Sequence, residues 1–350
     1  MNAILTPATA ELSAPALLRE IHDGKTLPRA VAEQFMSAVL ESSVDERPLA
    51  AILSALRMRN ETPEELAGFL DAMLARAHRV PYSGATLFDP VGTGGDGLHT
   101  FNISTMTAIT VASFGVPVAK HGNRAASSKS GSSDAIEAAG VPITDQIPLL
   151  SDALEQTGLA FLFAPYHHPL LRHVAALRKS LGVMTSFNLL GPLANPSPVT
   201  HQLLGVARAN ILKIYADAAA SRGVNAWIVH GDQGADEALP SGNFLLVRGA
   251  GQPVEEIDPR SFGCPRYALD EIRGGTPEEN AAMLWRTLRG EAPDAVTDAV
   301  ALNTALSLNL LGRASSLEEG FTQARQALRD GAPAATLQRY IDYVGPRTRA

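Results

Sequence analysis

Near residue 81 the hydrophobic period of the chain changes, and no other feature constrains the fold as strongly. Up to that point the apolar residues recur at spacings of three and four, which is the signature of helices packed by one face. "SAPALLREIHDG" carries a Ser cap, a Pro near its start and a Gly at its end. "LPRAVAEQFMSAVLES" and "DERPLAAILSALRMRN" continue the helical spacing, and "TPEELAGFLDAMLARA" opens with Thr62, Pro63 and Glu65, a strong N-terminal signature. No strand pattern interrupts residues 13–78. From "VPYSGATLFDPVGTGGDG" onward, short apolar runs alternate with helical stretches. Strands are expected at "TLFDPV", "VPVAK", "LAFLFA", "NAWIVHG", "NFLLVRG" and "QPVEEID". Helices are expected at Ser104–Ser113, Ser133–Ala139, Ser151–Thr157, Asn210–Ser221, Pro277–Arg289, Asp294–Leu311, Leu317–Arg329 and Ala332–Val344. The reading is an α/β chain: a small N-terminal all-helical domain over residues 1–80, then a large α/β domain over 81–350. Its central sheet is mostly parallel and flanked by helices. Sheets of that kind bind ligands at the carboxyl ends of their strands.

Composition narrows the function. Of 350 residues, 45% are hydrophobic, enough for a sizeable core. The net charge of −7 argues against a general nucleic-acid binder, which presents a basic face. The single cysteine, Cys264, excludes a disulfide framework and speaks against a cysteine-based zinc site. The start shows no basic region followed by an apolar core, and no uncharged apolar run reaches membrane-spanning length. A soluble cytoplasmic protein, with no membrane or nucleic-acid partner, is the expectation.

"VGTGGDG" (Val91–Gly97) follows an expected strand and places four glycines in six residues. Gly92, Gly94 and Gly97 satisfy the dinucleotide-binding spacing, but that fingerprint expects an acid about 20 residues later. Nothing acidic occurs between Asp96 and Asp134. The P-loop reading fails as well, since no Gly-Lys-Ser/Thr follows. A tight turn alone does not call for so many glycines. What remains is a phosphate cradle, in which glycine backbones approach an anion and aim N–H groups at it. "TFNIST" (Thr100–Thr105) then sets Ser104 and Thr105 at the mouth of a helix, where they are either ordinary caps or phosphate contacts.

The serine-rich stretch "KHGNRAASSKSGSSD" adds Lys120, Arg124 and Lys129 before any carboxylate. Beside two loops suited to phosphate, these cations point to a partner carrying more than one phosphate, although a solvated surface would look the same. His121 reads equally as a core histidine. A polyphosphate usually brings Mg²⁺, held by one or two carboxylates together with phosphate oxygens and waters. Asp236 and Glu237, in the loop "HGDQGADEALPSG" after a strand, are the best carboxylates for it, with Asp232 a competitor. In "HHPLLRHVAALRKSLGVMTSFNLLGPLANP", Arg172, Arg178 and Lys179 lie at helical spacings. Arg178 is either a bidentate carboxylate binder or an exposed helix cation.

The segments "GTGGDG", "TFNIST", "KHGNRAASSKSGSSD", "HHPLLRHVAALRKSLG", "FNLLGPLANP" and "ADEALPSG" occur in the order seen in anthranilate phosphoribosyltransferases of tryptophan biosynthesis. The resemblance spans nearly the whole chain, including "LRMRNETPEELAGF" at the helical start. It implies a small α domain, joined by part of 170–200, and a large domain that binds phosphoribosyl pyrophosphate. It also implies a homodimer packed through the small domains. The implied reaction transfers the phosphoribosyl group to the amine of anthranilate and releases pyrophosphate.

Carried over onto this chain, the donor site comprises Gly92, Gly95, Asp96, Thr100, Asn102, Ile103, Ser104 and Thr105. It continues through Lys120, His121, Gly122, Asn123, Arg124, Ala125, Ala126, Ser127 and Ser128 to Ser132. Gly92, Asn123 and Arg178 would contact anthranilate, and Ser104, Asp236 and Glu237 would ligate two Mg²⁺ ions. Lys120 and Asp96 would take part in the chemistry. Departures from the family pattern are Leu171, where some members carry an aromatic, Met184 and Ser186, and "PLANP" for the more frequent "PLTNP". Two rivals share the fold: a pyrimidine nucleoside phosphorylase, and a non-catalytic nucleic-acid-binding relative.

Overall fold

The computed structural model describes residues 13–124 and 130–348. Four helices come first: α1 (Ala14–His22), α2 (Arg29–Leu40), α3 (Glu46–Arg59) and α4 (Pro63–Ala75). The start of α4 is a reciprocal cap. The Glu65 N–H donates to Thr62 Oγ1 at 3.2 Å, and the Thr62 N–H donates to Glu65 Oε2 at 2.8 Å. Glu65 is fully buried, and its other oxygen accepts from Leu27 N–H and from Arg59, so one side chain ties the cap to the helices beneath it.

Strands and helices then alternate. They run β1 (Phe88–Gly92), α5 (Ile103–Ser113), β2 (Val118–Gly122), α6 (Ser132–Ala138), α7 (Ile147–Thr157), β3 (Leu159–Phe163), α8 (Ala164–His167), α9 (Arg172–Leu181) and α10 (Ser186–Leu190). Next come β4 (His201–Gly205), α11 (Leu212–Ala220), β5 (Asn225–His230), β6 (Phe244–Val247) and β7 (Val254–Ile257). The chain closes with α12 (Pro277–Leu288), α13 (Asp294–Leu310), α14 (Leu317–Arg329) and α15 (Ala332–Thr348). The seven strands form one sheet in the order β3-β2-β1-β4-β5-β6-β7. The first five strands in that order run parallel, and β6 and β7 join antiparallel.

Strand alternation builds two cores. Leu203, Val229 and Leu246 face one way, into a cluster with α5 and the almost wholly buried α13. Leu204, Ile228 and Val247 face the other way. There they share a cluster with Phe35, Ile52 and Phe69 of the first four helices and with Leu177 of α9 and Phe187 of α10. That face of the sheet carries the helical bundle together with α9 and α10.

Six of the seven strands were expected from the sequence, and β4 was not. "HQLLG" has only two strongly apolar residues, and its Gln202 looks exposed. Gln202 is in fact 2% exposed, because its amide donates to the Pro192 carbonyl at 3.0 Å. Helix α7 begins at Ile147, ahead of the expected Ser151, because Pro148 sits in its first turn where its missing N–H is harmless. Helix α15 runs on to Thr348.

Candidate active site

Three segments at the strand ends build the site. The first leaves β1 as the glycine loop. Gly94, Gly95 and Gly97 all have φ between 64° and 75°, a region that side chains with a Cβ avoid, so the loop's path depends on glycine. The loop ends at α5, whose first residue is Ile103. The second segment comes after β5, where Asp236 and Glu237 fold back over the ends of β1 and β4. Gly94 N–H donates to Asp236 Oδ2 at 2.6 Å, and Thr100 Oγ1 donates to Glu237 Oε2 at 3.1 Å. Ser104 N–H, at the mouth of α5, also hydrogen-bonds to Glu237. A Cβ on Gly205 would overlap the Asp236 carbonyl, which explains a glycine at the end of β4.

Burial raises the pKa of both acids. Asp236 is pushed up to about 6, first by desolvation and then by the nearby charge of Asp96. Glu237 rises further, through desolvation, then Asp236, then Asp96. Two adjacent carboxylates that resist ionisation in the free chain are what a divalent cation would relieve. Among the described residues no group of three or more His, Cys, Asp and Glu side chains could hold a metal alone. The donors present, two carboxylates beside Ser104 with room for ligand oxygens, suit Mg²⁺, which shares its shell with phosphates and water.

The third segment leaves β2. Asn123 and Arg124 are exposed there, and Ser132, the first residue of α6, bonds back to Asn123 N–H and to Asn123 O at 3.2 Å each. Arg124 pairs with Asp134 at 2.9 Å and with Glu137 at 2.8 Å, and its guanidinium lies over the Phe163 ring. Ala125, Ala126, Ser127, Ser128 and Lys129 lie outside the described residues.

Several expected contacts sit differently from a simple lining. Lys120 is only 3% exposed, and its ammonium donates to the Pro90 carbonyl at 2.7 Å. Burial lowers its pKa, against which the charges of Asp89, Glu237 and Asp236 act. The His121 ring is buried edge-on against His168, with centroids 5.7 Å apart. Its pKa is driven well down by desolvation. Ile103 and Thr105 are fully buried on α5, but Thr105 lines a cavity with Lys120, Gly122 and Ser132, and its buried Oγ1 has no hydrogen-bond partner.

Asn102 is oriented by Asn280, whose amide donates to Asn102 Oδ1 at 2.8 Å. Asn280 was not singled out from the sequence, since an asparagine inside a helical pattern carries no local signal. Arg178, on α9, has no carboxylate partner among the described residues. It lies over the Phe187 ring at 5.4 Å, and desolvation lowers its pKa. A half-buried guanidinium over an aromatic ring, with no carboxylate partner among the described residues, has the chemistry to take up a planar carboxylate.

A helical bundle set against a glycine-looped, mostly parallel sheet with a buried acid pair defines a two-domain transferase for phosphorylated sugars. Comparison with known proteins agrees. Residues 15–77 match the helical bundle domain of a glycosyl transferase family, and residues 84–334 match its a/b domain. The anthranilate phosphoribosyltransferase of Parvibaculum lavamentivorans is 42% identical over 328 residues, covering 93% of this chain and 96% of the relative. The crystal structure of the Thermus thermophilus enzyme superimposes with a TM-score of 0.89 at 39% identity, over 93% of this chain and 98% of that one. The Saccharomyces cerevisiae enzyme, solved in complex with PRPP and Mg, gives 0.88 at 28% identity, over 96% and 99%. The chain belongs to the anthranilate phosphoribosyltransferase family.

Proposed function

We infer that this chain transfers the phosphoribosyl group of phosphoribosyl pyrophosphate to the amine of anthranilate, a step of tryptophan biosynthesis. The products are N-(5-phosphoribosyl)anthranilate and pyrophosphate. The observation that carries the reading is the buried Asp236–Glu237 pair, braced by the glycine loop and by the first turn of α5.

In this reading Gly92, Gly95, Asp96 and Thr100 line the junction between the two substrates. Asn102, Ser104, Thr105, Asn123, Arg124 and Ser132 hold phosphate and ribose oxygens, with Ile103 and Gly122 beside them. Arg178 takes the anthranilate carboxylate. Ser104, Asp236 and Glu237 would hold Mg²⁺, and two ions are proposed because the two carboxylates and the donor's pyrophosphate offer more oxygens than one ion takes. Bound there, the metal would neutralise charge growing on the pyrophosphate as it departs.

The chain's own residues do the rest. Cleavage of the C1–pyrophosphate bond leaves an oxocarbenium-like ribose and an anionic leaving group. In this reading loop N–H groups and the buried Lys120 charge stabilise that anion. Lys120 acts from beneath the loop, since its ammonium is held at Pro90 in the free chain. The aryl amine of anthranilate is neutral at pH 7, so no base is required before attack. Arg178 and Phe187 contribute by fixing the ring so that its nitrogen faces C1.

The proposal includes a cytoplasmic homodimer joined through the helical domains, where Met58 on α3 stands 87% exposed. Among the described residues no helix is long and apolar enough to cross a membrane. The test is the fluorescence of anthranilate mixed with phosphoribosyl pyrophosphate, with and without Mg²⁺. Signal loss only when donor and metal are both present supports the assignment. Donor binding without consumption of anthranilate would move the acceptor to another molecule. Sedimentation of the purified chain tests the dimer.

A further inference from the structure

The seam between β1 and β2 is not an ordinary strand pair. Phe88 N–H donates to the Pro117 carbonyl, which sets the parallel register, and only Phe88 and Val118 pair along this seam. The next rung would run from the N–H of residue 90 to the Ala119 carbonyl, and from His121 N–H to the carbonyl of residue 90. Residue 90 is proline and has no N–H to give.

Three side chains complete the rung instead. Asn195 Nδ2 donates to the Ala119 carbonyl at 2.8 Å. His121 N–H turns to Asp89 Oδ1 at 3.2 Å. Lys120 Nζ donates to the vacated Pro90 carbonyl at 2.7 Å. Asn195 closes the knot by donating to Asp89 Oδ2 at 2.8 Å, and Ser197 N–H fixes the far side of its amide at 2.9 Å. Asp89 is fully buried and Asn195 is 3% exposed, so none of these bonds competes with bulk water.

The position of this knot gives it a role. The glycine loop begins two residues beyond Pro90, and the Asn123–Ser132 segment begins just past His121. The separation of the two strand ends is therefore set by side chains, one of which comes from the connection between α10 and β4. We propose that Asn195, acting with Asp89, is a positioning residue: it holds the ends of β1 and β2, from which Gly92–Gly97 and Asn123–Arg124 leave, at the spacing that phosphoribosyl pyrophosphate requires, in place of the backbone rung that Pro90 removes. The proposal rests on the donor assignment above. It requires no contact between Asn195 and either substrate.

The rung can be restored in another way, and that supplies the test. Asn195→Ala, Pro90→Val and the double variant would be compared with the wild-type chain. The readouts are steady-state kinetics with Mg²⁺ and calorimetric titration of phosphoribosyl pyrophosphate. Losing a buried hydrogen-bond donor to a charged network corresponds to about a tenfold effect on an equilibrium.

Asn195→Ala is expected to raise the donor KM and Kd about tenfold while the anthranilate KM stays within about twofold. Pro90→Val alone should stay near wild type. Added to Asn195→Ala it supplies the missing N–H, and about threefold of the lost donor affinity should return. Equal effects on both substrates, an unchanged donor Kd, or a double variant no better than Asn195→Ala would each overturn the proposal. If Asn195→Ala alone does not fold, recovery of both folding and donor binding by Pro90→Val supports it, and failure to recover refutes it. Because the titration reads donor binding alone, it stays decisive even if anthranilate proves not to be the acceptor.

Discussion

The buried acid pair makes a prediction in which stability and activity move in opposite directions. The Asp236 carboxyl is pushed up from 3.8 to about 6 by burial, with the Asp96 charge adding to it. The folded chain therefore binds this proton more tightly than the unfolded chain does. The stabilisation it brings is complete below about pH 4 and is lost as the pH rises through about 6. By pH 7.5 a shift of that size has withdrawn about 3 kcal/mol.

Asp236→Asn is close to isosteric, keeps an oxygen for the Gly94 N–H, and never ionises. Without metal it should be the more stable protein at pH 7.5, by about 4 °C in Tm for a chain of this length. Roughly half of that gap should remain at pH 5, and almost none near pH 4. Mg²⁺ with phosphoribosyl pyrophosphate should raise the Tm of the wild type more than that of the variant. The variant's turnover should fall by at least about 100-fold, the upper end of what losing an outer-shell partner of a metal ligand costs. Scanning calorimetry across pH 4–7.5 checks the first part and anthranilate fluorescence the second. A variant that melts lower at pH 7.5, or a gap that does not change with pH, would refute the electrostatic reasoning.

Three further outcomes follow from the same geometry. Arg178→Lys keeps the charge but loses the planar fork and the stacking on Phe187, so the anthranilate KM should rise about tenfold with the donor KM little changed. Glu137→Gln removes one of the two acids that hold Arg124 in the free chain; such an exposed pair is worth less than about 1 kcal/mol, so titration should show donor affinity improved by no more than about threefold. Gly205→Ala drives a methyl into the Asp236 carbonyl and displaces both acids, so it should reduce turnover far more than it lowers the Tm.

The parts of the site visible in the sequence were those whose chemistry is local. Glycines with positive φ, an acid pair after a strand and serines at a helix mouth announce themselves within a few residues. Strand β4 did not, because Gln202 is buried by partners at Pro192 and Asp89 that only the fold brings near. Asp89 sits inside an apolar run, and Asn195, next to Pro196, carries no local signal of its role. Their meaning depends on β2 lying beside β1, which no spacing reveals. Lys120 was legible as a cation but not as a side chain that bonds a neighbouring strand. Pro90 was the one visible clue: a proline in what became a central strand asks where the missing hydrogen bond has gone.

The unfavourable features of this chain are concentrated at one place. Asp236 and Glu237 resist ionisation, Arg178 stacks on Phe187 with no counter-ion among the described residues, and Pro90 opens a central seam. Each departs from what packing alone would favour, and the first two are complementary to something a substrate complex brings, a divalent cation and a carboxylate. Features that only destabilise the free chain persist where they do something else. The two large apolar clusters on either side of the sheet supply the stability that tolerates them. Pro90 differs from the others in being compensated within the chain itself, by Asn195, Asp89 and Lys120. In the proposed reading the acid pair after β5 and Arg178 on α9 await a ligand's charge, while the spacing of the β1 and β2 strand ends is fixed beforehand by the chain itself. That division is what a site relying on positioning rather than on a strong base requires.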